Sequence, residues 1–184
     1  MKRIAVGGTT GSGKTTLGLT LAQRMNVPHI ELDALHWEPH WTSAAPEVFK
    51  QRVCDAIAAE SWTSSGNYSI VRDMVWQRAD TFIWLDYSFS IVASRLLRRT
   101  LRRIVTQEEL WSGNRESLRT MLSRDSILLW LLRTYWRRRR EYPALLARPQ
   151  MSHLQVIQFR SPQETTRWLQ NTGASGCDKH SEYS

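Results

Sequence analysis

The segment Gly8-Thr9-Thr10-Gly11-Ser12-Gly13-Lys14-Thr15 decides the fold of this chain of 184 residues. It follows the spacing G-x-x-x-x-G-K-[ST], in which the glycines let backbone N–H groups turn inward around an anion such as a phosphate group. A short apolar run, Ile4-Ala5-Val6, precedes the segment, and apolar residues at helical spacing follow it at Leu17, Leu21 and Met25. The segment is therefore predicted to lead from a buried strand into a helix, whose N-terminus also favours an anion.

The residues of this loop are candidates for holding the phosphates of ATP. We expect Lys14 to reach the outer phosphates and the Thr15 hydroxyl to bind Mg²⁺. The alternative interpretation, a flexible glycine turn, needs neither a strand before it nor a helix after it, and both are predicted here. The predicted nucleotide-binding residues of the loop are Gly8, Thr9, Thr10, Gly11, Ser12, Gly13, Lys14, Thr15 and Thr16.

Strand and helix patterns alternate along the chain. Short, mostly apolar segments predict strands at residues 4–6, 29–32, 62–65, 81–85 and 154–159. Helices are expected at residues 14–25, 46–60, 70–78, 88–105, 125–140 and 162–168. Such alternation is typical of an α/β fold with three layers (α/β/α), in which helices cover both faces of a parallel sheet, here of five strands.

A single domain is predicted over residues 1–170. Within it, residues 106–124 have poor periodicity and contain Ser112-Gly113-Asn114, so we interpret them as a flap. Residues 171–184 are Gly, Ser and polar residues for the most part, and we expect a disordered tail there.

Composition excludes several classes of protein. With 41% hydrophobic and 23% charged residues, the chain has the composition of a globular protein rather than of a disordered or fibrous one. No apolar run approaches the roughly 20 residues of a membrane span, and no long apolar region follows Lys2 and Arg3 as in a signal peptide. Two cysteines cannot build a disulfide framework. We therefore expect a cytoplasmic protein with no membrane partner.

Positive charge is concentrated in one part of the chain. The net charge is +8, and residues 95–140 contain 13 arginines against four acidic residues, a balance of +9. The whole chain has 21 arginines and only 4 lysines. Because the planar guanidinium group suits bidentate contact with phosphate, this segment is predicted to meet an anion. Charge alone does not say whether this anion is a nucleotide, a nucleic acid or a membrane surface, although a membrane partner is not expected here.

Four short motifs follow the loop in a fixed order: Leu32-Asp33-Ala34-Leu35-His36-Trp37, Gly66-Asn67-Tyr68, Arg78-Ala79-Asp80 and Leu85-Asp86. With these motifs, the chain from about Lys2 to Leu169 resembles the adenylate-kinase-like group of small P-loop kinases. More specifically, it is similar to bacterial proteins known as DNA topology modulation or adenylate-kinase-related proteins. The resemblance implies a P-loop NTPase fold like that of nucleoside monophosphate kinases, a substrate-binding segment at about 33–61, an arginine-rich helical lid at about 106–124, and ATP with Mg²⁺.

The resemblance also implies roles for individual arginines. In adenylate kinases, one arginine on the helix after the strand-ending L-D lies against adenine, and a second, one turn later, contacts the transferred phosphate. Arg95 and Arg99 stand at matching offsets from Asp86. Independently, a helical period of 100° per residue places these two on one face with three more arginines, although a solvated helix face is the alternative interpretation. The predicted lid arginines are Arg103, Arg115 and Arg119.

The acceptor side is predicted around Asp33, because open α/β sheets bind ligands at the carboxyl ends of their strands. Asp33 is a candidate for accepting a proton from an acceptor hydroxyl, and a plain loop or cap aspartate is the alternative. The predicted acceptor-binding residues are Asp33, His36, Trp37, Gly66, Asn67, Tyr68 and Arg72.

One position departs from the pattern that the resemblance implies. The similar proteins have an acidic residue before Gly-Asn-Tyr, where it holds the hydration shell of magnesium, but this chain has Ser65 there. Three explanations are open: Ser65 orients a metal-bound water, Asp33 supplies the charge, or catalysis is feeble. Asp86 is expected to be structural.

Two classes of function follow. The first is a kinase that transfers the γ-phosphoryl group of ATP to a nucleotide or another small acceptor, with Lys14, Asp33 and Arg99 as catalytic residues. The alternative is a regulatory or nucleic-acid-associated NTP-binding protein with weak NTPase activity, which would use Arg133 and Arg137 to Arg140 on phosphate backbones, with Trp136 as a stacking surface. Arginines are expected in a phosphotransfer lid, so the kinase is favoured.

Overall fold

A five-stranded parallel sheet forms the centre of the fold in the computed structural model, which describes residues 1–117 and 127–174. Its strands have the spatial order β2-β5-β1-β6-β7, and every neighbouring pair is parallel. Two further strands, β3 and β4, form a separate antiparallel pair. The strands are β1 (Arg3–Gly8), β2 (His29–Glu31), β3 (Trp37–Glu38), β4 (Thr42–Ser43), β5 (Trp62–Ser65), β6 (Thr81–Leu85) and β7 (Gln155–Phe159).

Helices cover both faces of the sheet, so the predicted three-layer α/β/α fold is confirmed. The helices are α1 (Lys14–Met25), α2 (Leu32–His36), α3 (Pro46–Ala56), α4 (Ser69–Arg78), α5 (Phe89–Thr106), α6 (Ile127–Leu146) and α7 (Pro162–Ala174). Short 3₁₀ turns occur at Pro39–Trp41, Trp111–Gly113 and Pro149–Met151. In the described parts of the chain, no helix has both the length and the apolar character needed to cross a membrane.

Two buried clusters lie on opposite faces of the sheet. Strand β6 shows the division, because successive side chains of a strand point to opposite faces. Phe82 and Trp84 belong to the cluster that includes Phe49 of α3, whereas Ile83 belongs to the cluster that includes Tyr135 of α6. Neither half of the chain can therefore form this core without the other.

The segment predicted as a loop at residues 33–45 has regular structure. Strand β2 ends at Glu31, one residue earlier than predicted, and buried Leu32 opens the short helix α2. Strands β3 and β4 then form a hairpin, which is closed at its base by a hydrogen bond from the Ala44 N–H to the His36 carbonyl (2.8 Å). Asp33 consequently lies in a helical turn and not in an open loop.

Three predicted boundaries were wrong. Helix α3 ends at Ala56 and does not reach residue 60. Helix α6 continues past Arg140 to Leu146, because buried Tyr142 and Leu145 prolong its apolar face. Helix α7 includes residues 171–174, which the sequence assigned to a disordered tail. Much of the predicted lid, including Arg119, and residues 175–184 lie outside the described residues.

Candidate active site

The glycine-rich loop turns sharply between β1 and α1, as its sequence predicts. Gly11 and Gly13 have positive φ angles of 81° and 94°, which favour glycine. A Cβ atom at Gly11 would also lie 2.5 Å from the carbonyl oxygen of Val92 on α5, so this position has no room for a side chain. The loop is thereby pressed against α5, and its backbone and the start of α1 face a cleft of about 1850 Å³.

Lys14 lies at the floor of this cleft as the first residue of α1. Its ammonium group donates to the Thr9 carbonyl (3.1 Å). Burial, together with the nearby Arg138 guanidinium, lowers the pKa of Lys14 to about 7, and the Asp33 carboxylate opposes this shift. A buried cation beside a second cation is an unfavourable arrangement unless an anion joins them, so the cleft is suited to an anionic ligand.

A carboxylate that the sequence analysis passed over stands next to the loop threonine. The Thr15 hydroxyl donates to Glu31 Oε1 (2.9 Å), and Ser65 Oγ lies 3.4 Å from Thr15 Oγ1. Glu31 and Ser65 face each other as the last residues of β2 and β5. Hydroxyl and carboxylate oxygens are the ligands that Mg²⁺ prefers, so these three side chains fit a magnesium ion on the nucleotide phosphates.

Asp33 is held on the acceptor side of the same cleft. The Tyr68 hydroxyl donates to Asp33 Oδ1 (2.5 Å). Burial, with the Asp33 carboxylate, raises the pKa of Tyr68, so its hydroxyl keeps the proton that it donates. One carboxylate oxygen of Asp33 is therefore oriented by Tyr68.

Two arginines that line the cleft have no partner among the residues that the structure describes. Neither Arg99 on α5 nor Arg138 on α6 makes a hydrogen bond or an ion pair with the part of the chain that is described, and the buried Nε of Arg99 is unpaired. Arg138 is only 8% exposed. Burial lowers the pKa of both groups. Buried charges are normally paired, so these two cations are available for anionic groups of ligands.

Other predicted site residues divide into those that line the cleft and those that do not. Residues 10–16 of the loop, all seven predicted acceptor-binding residues, and Arg95, Arg99 and Arg103 line it. Gly8, Thr9 and Ser65 lie beside or beneath the loop without lining the cleft. Arg115 is exposed, pairs with Glu109 (3.7 Å), and is not brought into the cleft.

The Asn67 amide is fully engaged by the protein, although the residue lines the cleft. Its Nδ2 donates to the Gly8 carbonyl, and its Oδ1 accepts from the Tyr142 hydroxyl (2.8 Å). Asn67 therefore ties α6 to the start of the loop. Asp86 is likewise engaged: Arg139 Nε (2.8 Å) and Gln158 Nε2 (2.9 Å) hold its carboxylate, in keeping with the structural role expected for it.

The segment of residues 109–116, here called the strap, connects the arginine-bearing helix α5 to the β3–β4 hairpin. At one end, Glu116 pairs with Arg103 of α5 (3.0 Å). In the middle, the Asn114 amide accepts from the Trp41 N–H (2.8 Å) and donates to the Glu38 carbonyl (2.9 Å). The strap thereby links α5 to the hairpin, and its residues Glu109, Leu110, Trp111 and Glu116 line the cleft.

Comparison with known proteins agrees with this geometry. The sequence model described as "Shikimate kinase" matches residues 10–59, a stretch that includes the loop from Thr10 onward, Glu31 and Asp33. No curated protein is similar enough to the chain to count as a match.

Several solved structures share the fold. A shikimate kinase from Bacteroides thetaiotaomicron is 16% identical, with a TM-score of 0.54, over 95% of this chain and 97% of that one. A gluconokinase from Sinorhizobium meliloti 1021 is 19% identical, with a TM-score of 0.50, over 95% and 94% of the two chains. An unliganded sugar kinase from Janibacter sp. HTCC2649 is 18% identical, with a TM-score of 0.51, over 95% of each chain. The chain therefore has the fold of the small P-loop kinases.

Proposed function

We propose that this protein is an ATP-dependent phosphotransferase, which moves the γ-phosphoryl group of ATP to a hydroxyl group of a small anionic acceptor. One observation carries the proposal. The oriented carboxylate of Asp33 shares a cleft with the loop lysine and with two arginines, half-buried Arg99 and buried Arg138, that have no partner among the described residues. A protein that only bound a nucleotide would need no carboxylate and no second unpaired cation across the cleft.

The loop side would hold ATP. Backbone N–H groups of residues 10–15 and Lys14 would bind the phosphates, and Thr15, Glu31 and Ser65 would hold Mg²⁺, which neutralises charge on the phosphates when it is bound. Glu31 supplies the formal charge that Ser65 lacks. We therefore assign to Glu31 the role that the sequence left open between Ser65 and Asp33.

The opposite side would hold the acceptor and activate it. Asp33 would accept the proton of the acceptor hydroxyl as its oxygen forms a bond to the γ-phosphorus and the bond from that phosphorus to the leaving oxygen of ADP breaks. Tyr68 holds Asp33 in place for this step. Arg99 would stabilise the charge on the transferred group, and Arg138 would bind an anionic group of the acceptor.

The structural neighbours and the motif resemblance suggest two different classes of acceptor. Shikimate kinase, gluconokinase and sugar kinase, the names of the structural neighbours, denote acceptors with hydroxyl groups. The motif resemblance to adenylate-kinase-like and topology modulation proteins supports a nucleotide acceptor instead. The two candidates differ in chemistry, because an acceptor of the adenylate-kinase type takes the phosphoryl group on a phosphate oxygen. The Asp33 carboxylate, oriented by Tyr68, favours an acceptor hydroxyl, since the proton of a hydroxyl needs a base.

The position of the arginines on α6 argues against the nucleic-acid alternative. Arg133 and Arg137 line the same cleft as the loop, Arg138 is buried there, and Arg139 holds Asp86. Arg140 is exposed. Of the five arginines that the nucleic-acid alternative would use, three thus line the cleft and a fourth is bonded to Asp86, which favours a ligand of the cleft over a phosphate backbone.

An acceptor screen tests the proposal. ADP release from ATP and Mg²⁺ would be measured alone and with nucleoside monophosphates, nucleosides, hydroxy acids and sugars. We expect one acceptor class to accelerate ADP release and Lys14→Ala to abolish the acceleration. Lys50→Ala is the matched control, because Lys50 is a lysine paired with Glu47 far from the loop in sequence. If no acceptor accelerates ADP release while ATP still binds, the regulatory alternative would replace the kinase.

A further inference from the structure

A polar chain of hydrogen bonds runs beneath the loop threonine, on the face of the sheet that is covered by α1. His29 and Glu31 of β2 lie opposite Thr63 and Ser65 of β5 in the strand register, and all four side chains point to the same face because they are two residues apart. His29 Nδ1 is 2.8 Å from Thr63 Oγ1, and His29 Nε2 is 3.2 Å from Ser65 Oγ. The sequence gives no local signal of a role for His29.

The proton positions in this chain follow from its fixed acceptor. The Thr63 hydroxyl donates to the Gly18 carbonyl of α1 (3.0 Å), and a carbonyl can only accept. Thr63 has no second proton, so Nδ1 of His29 must carry the hydrogen in the contact between them. In the neutral ring, Nε2 is then an acceptor.

Ser65 donates its single proton to this acceptor. Its two candidate acceptors are His29 Nε2 at 3.2 Å and Thr15 Oγ1 at 3.4 Å, and the unprotonated nitrogen is the closer one. The Thr15 hydroxyl gives its own proton to Glu31. The Ser65 oxygen is thereby left with its lone pairs free beside Thr15.

We propose that His29 is a positioning residue. It accepts a hydrogen bond from the Ser65 hydroxyl, so that the Ser65 oxygen can act as an acceptor for the hydration shell of the magnesium ion. This inference rests on the proposed function. A serine that is free to rotate would present either a proton or a lone pair to a metal-bound water, and only the lone pair is attractive there. The hydrogen bond to His29 fixes the direction of the Ser65 hydroxyl, so that a lone pair of the oxygen is left for the water.

The ring of His29 is held tightly enough to act in this way. A Cβ atom at Gly18 would lie 2.4 Å from His29 Cε1, so the ring fills a slot that exists only because residue 18 has no side chain. The ring is thus held by this packing and by its contacts with Thr63 and Ser65.

The affinity for ADP, measured by calorimetry with Mg²⁺ and again with excess EDTA, tests the inference. We expect His29→Ala to reduce the gain in affinity that Mg²⁺ provides by about 10-fold or more, the typical effect of losing the partner of a metal-site residue. The metal-free affinity for ADP should not change. Ser65→Ala should cause a similar loss, and the double variant should lose no more than either single variant, because the two side chains act as a unit.

Two further variants separate positioning from folding. His29→Gln keeps a polar side chain and should recover part of the magnesium effect, even if His29→Ala unfolds. His153→Ala is the control, because His153 bonds only to the Trp76 carbonyl. A magnesium effect that is the same in His29→Gln, His29→Ala and the parent would overturn the inference alone, and so would additive losses in the double variant. A parent that binds ADP neither with nor without Mg²⁺ would overturn the proposed function as well.

Discussion

The two sides of the cleft are built in different ways. The nucleotide side comes from one continuous segment, residues 8–16, and presents mostly backbone N–H groups, whose direction is set by glycines with positive φ. The acceptor side that we propose is assembled from side chains of α2, α4, α5 and α6, and residues of the strap line the same cleft. A site made of consecutive backbone groups can be predicted from its spacing, whereas a site made of distant side chains depends on how the helices pack.

This contrast has consequences for substitution. Loop backbone groups cannot be deleted by changing a side chain, so binding of ATP should survive many single changes. The proposed acceptor side consists of side chains, such as those of Asp33, Arg99 and Arg138, and a single substitution removes such a group altogether. The predictions below test that difference, in decreasing order of expected effect.

The largest effect is expected from Arg99. Its guanidinium faces the cleft without a partner, so it is available for the charge of the transferred group. An arginine that stabilises this charge contributes ~10³-fold or more to the rate. Arg99→Ala should lower kcat by that factor, whereas Arg95→Ala should chiefly raise KM for ATP, since Arg95 contacts the loop at the Ser12 carbonyl (3.5 Å) and lies over the Tyr87 ring. Equal and small losses in steady-state kinetics would mean that α5 carries only a solvated basic face.

A second large effect is expected from Asp33. Asp33→Asn keeps the shape of the side chain but cannot accept the proton, so kcat should fall by about 10²-fold or more. The affinity for ATP and Mg²⁺ in calorimetry should stay near that of the parent. Tyr68→Phe is the matched comparison: it removes the hydrogen bond to Asp33 but not the carboxylate, and it should cost less. Full activity in Asp33→Asn would show that the acceptor site lies elsewhere.

The same contrast explains which parts of the site could be predicted from the sequence. The five strands and the loop were correct because their signals are local: short apolar runs and a fixed glycine spacing. Glu31 was missed because the strand was extended by one residue, which made a strand-ending carboxylate look like part of a strand interior. Burial of Leu32 in α2 decides that boundary, and burial is a property of the packed fold.

The arginines of α6 show most clearly what could not be predicted from the sequence. Arg137 to Arg140 are four identical residues in a row, and their sequence offers no way to tell them apart. In the fold, Arg138 is buried in the cleft, Arg139 holds Asp86, and Arg137 pairs with Glu141 (3.5 Å). The angle at which α6 packs on the sheet assigns these roles. For the same reason the sequence could not show that the Asn67 side chain, which it predicts to bind the acceptor, also bonds Gly8 and Tyr142.

An intermediate effect is expected from Glu31. Glu31→Gln removes the charge next to Thr15, and the apparent affinity for Mg²⁺ in turnover should fall by about 10- to 100-fold. Ser65→Asp, which restores an acid at the neighbouring strand end, should leave activity intact or raise it, and it should partly rescue Glu31→Gln. Glu47→Gln is the control, because Glu47 is exposed and pairs only with Lys50. An unchanged magnesium dependence in Glu31→Gln would return the metal-holding role to Ser65 or Asp33.

A smaller effect is expected from the strap. Asn114 is only 4% exposed, and its amide bonds the backbone of Trp41 and Glu38 in the hairpin. Losing a hydrogen bond of this kind costs about 1 kcal/mol, so Asn114→Ala should raise KM for the acceptor by roughly fivefold and KM for ATP by less. Ser112→Ala removes an exposed bond to the Trp37 carbonyl and should do less than Asn114→Ala. A larger rise in KM for ATP than for the acceptor would place the strap on the nucleotide side.

The smallest effect is expected on the thermal stability of a variant at Lys14. Its sign shows whether the buried lysine destabilises the folded chain, as in an empty binding site, or stabilises it, as a residue of the core would. In the folded chain burial, with the Arg138 charge, lowers the pKa of Lys14 from 10.5 to about 7, so between these values the unfolded chain holds more protons than the folded one. Stability should therefore rise as the pH increases through this window, and charged Lys14 should cost the most at and below pH 7. Lys14→Met removes that cost: its melting temperature should exceed that of the parent by a few degrees (~2–4 °C per kcal/mol for a chain of this size) at pH 6, and by less at pH 9. Lys50→Met, at an exposed ion pair, should show no such dependence on pH. Scanning calorimetry at the two pH values measures both variants, and a Lys14→Met variant that is less stable than the parent at pH 6 would mean that the lysine supports the empty loop instead of straining it.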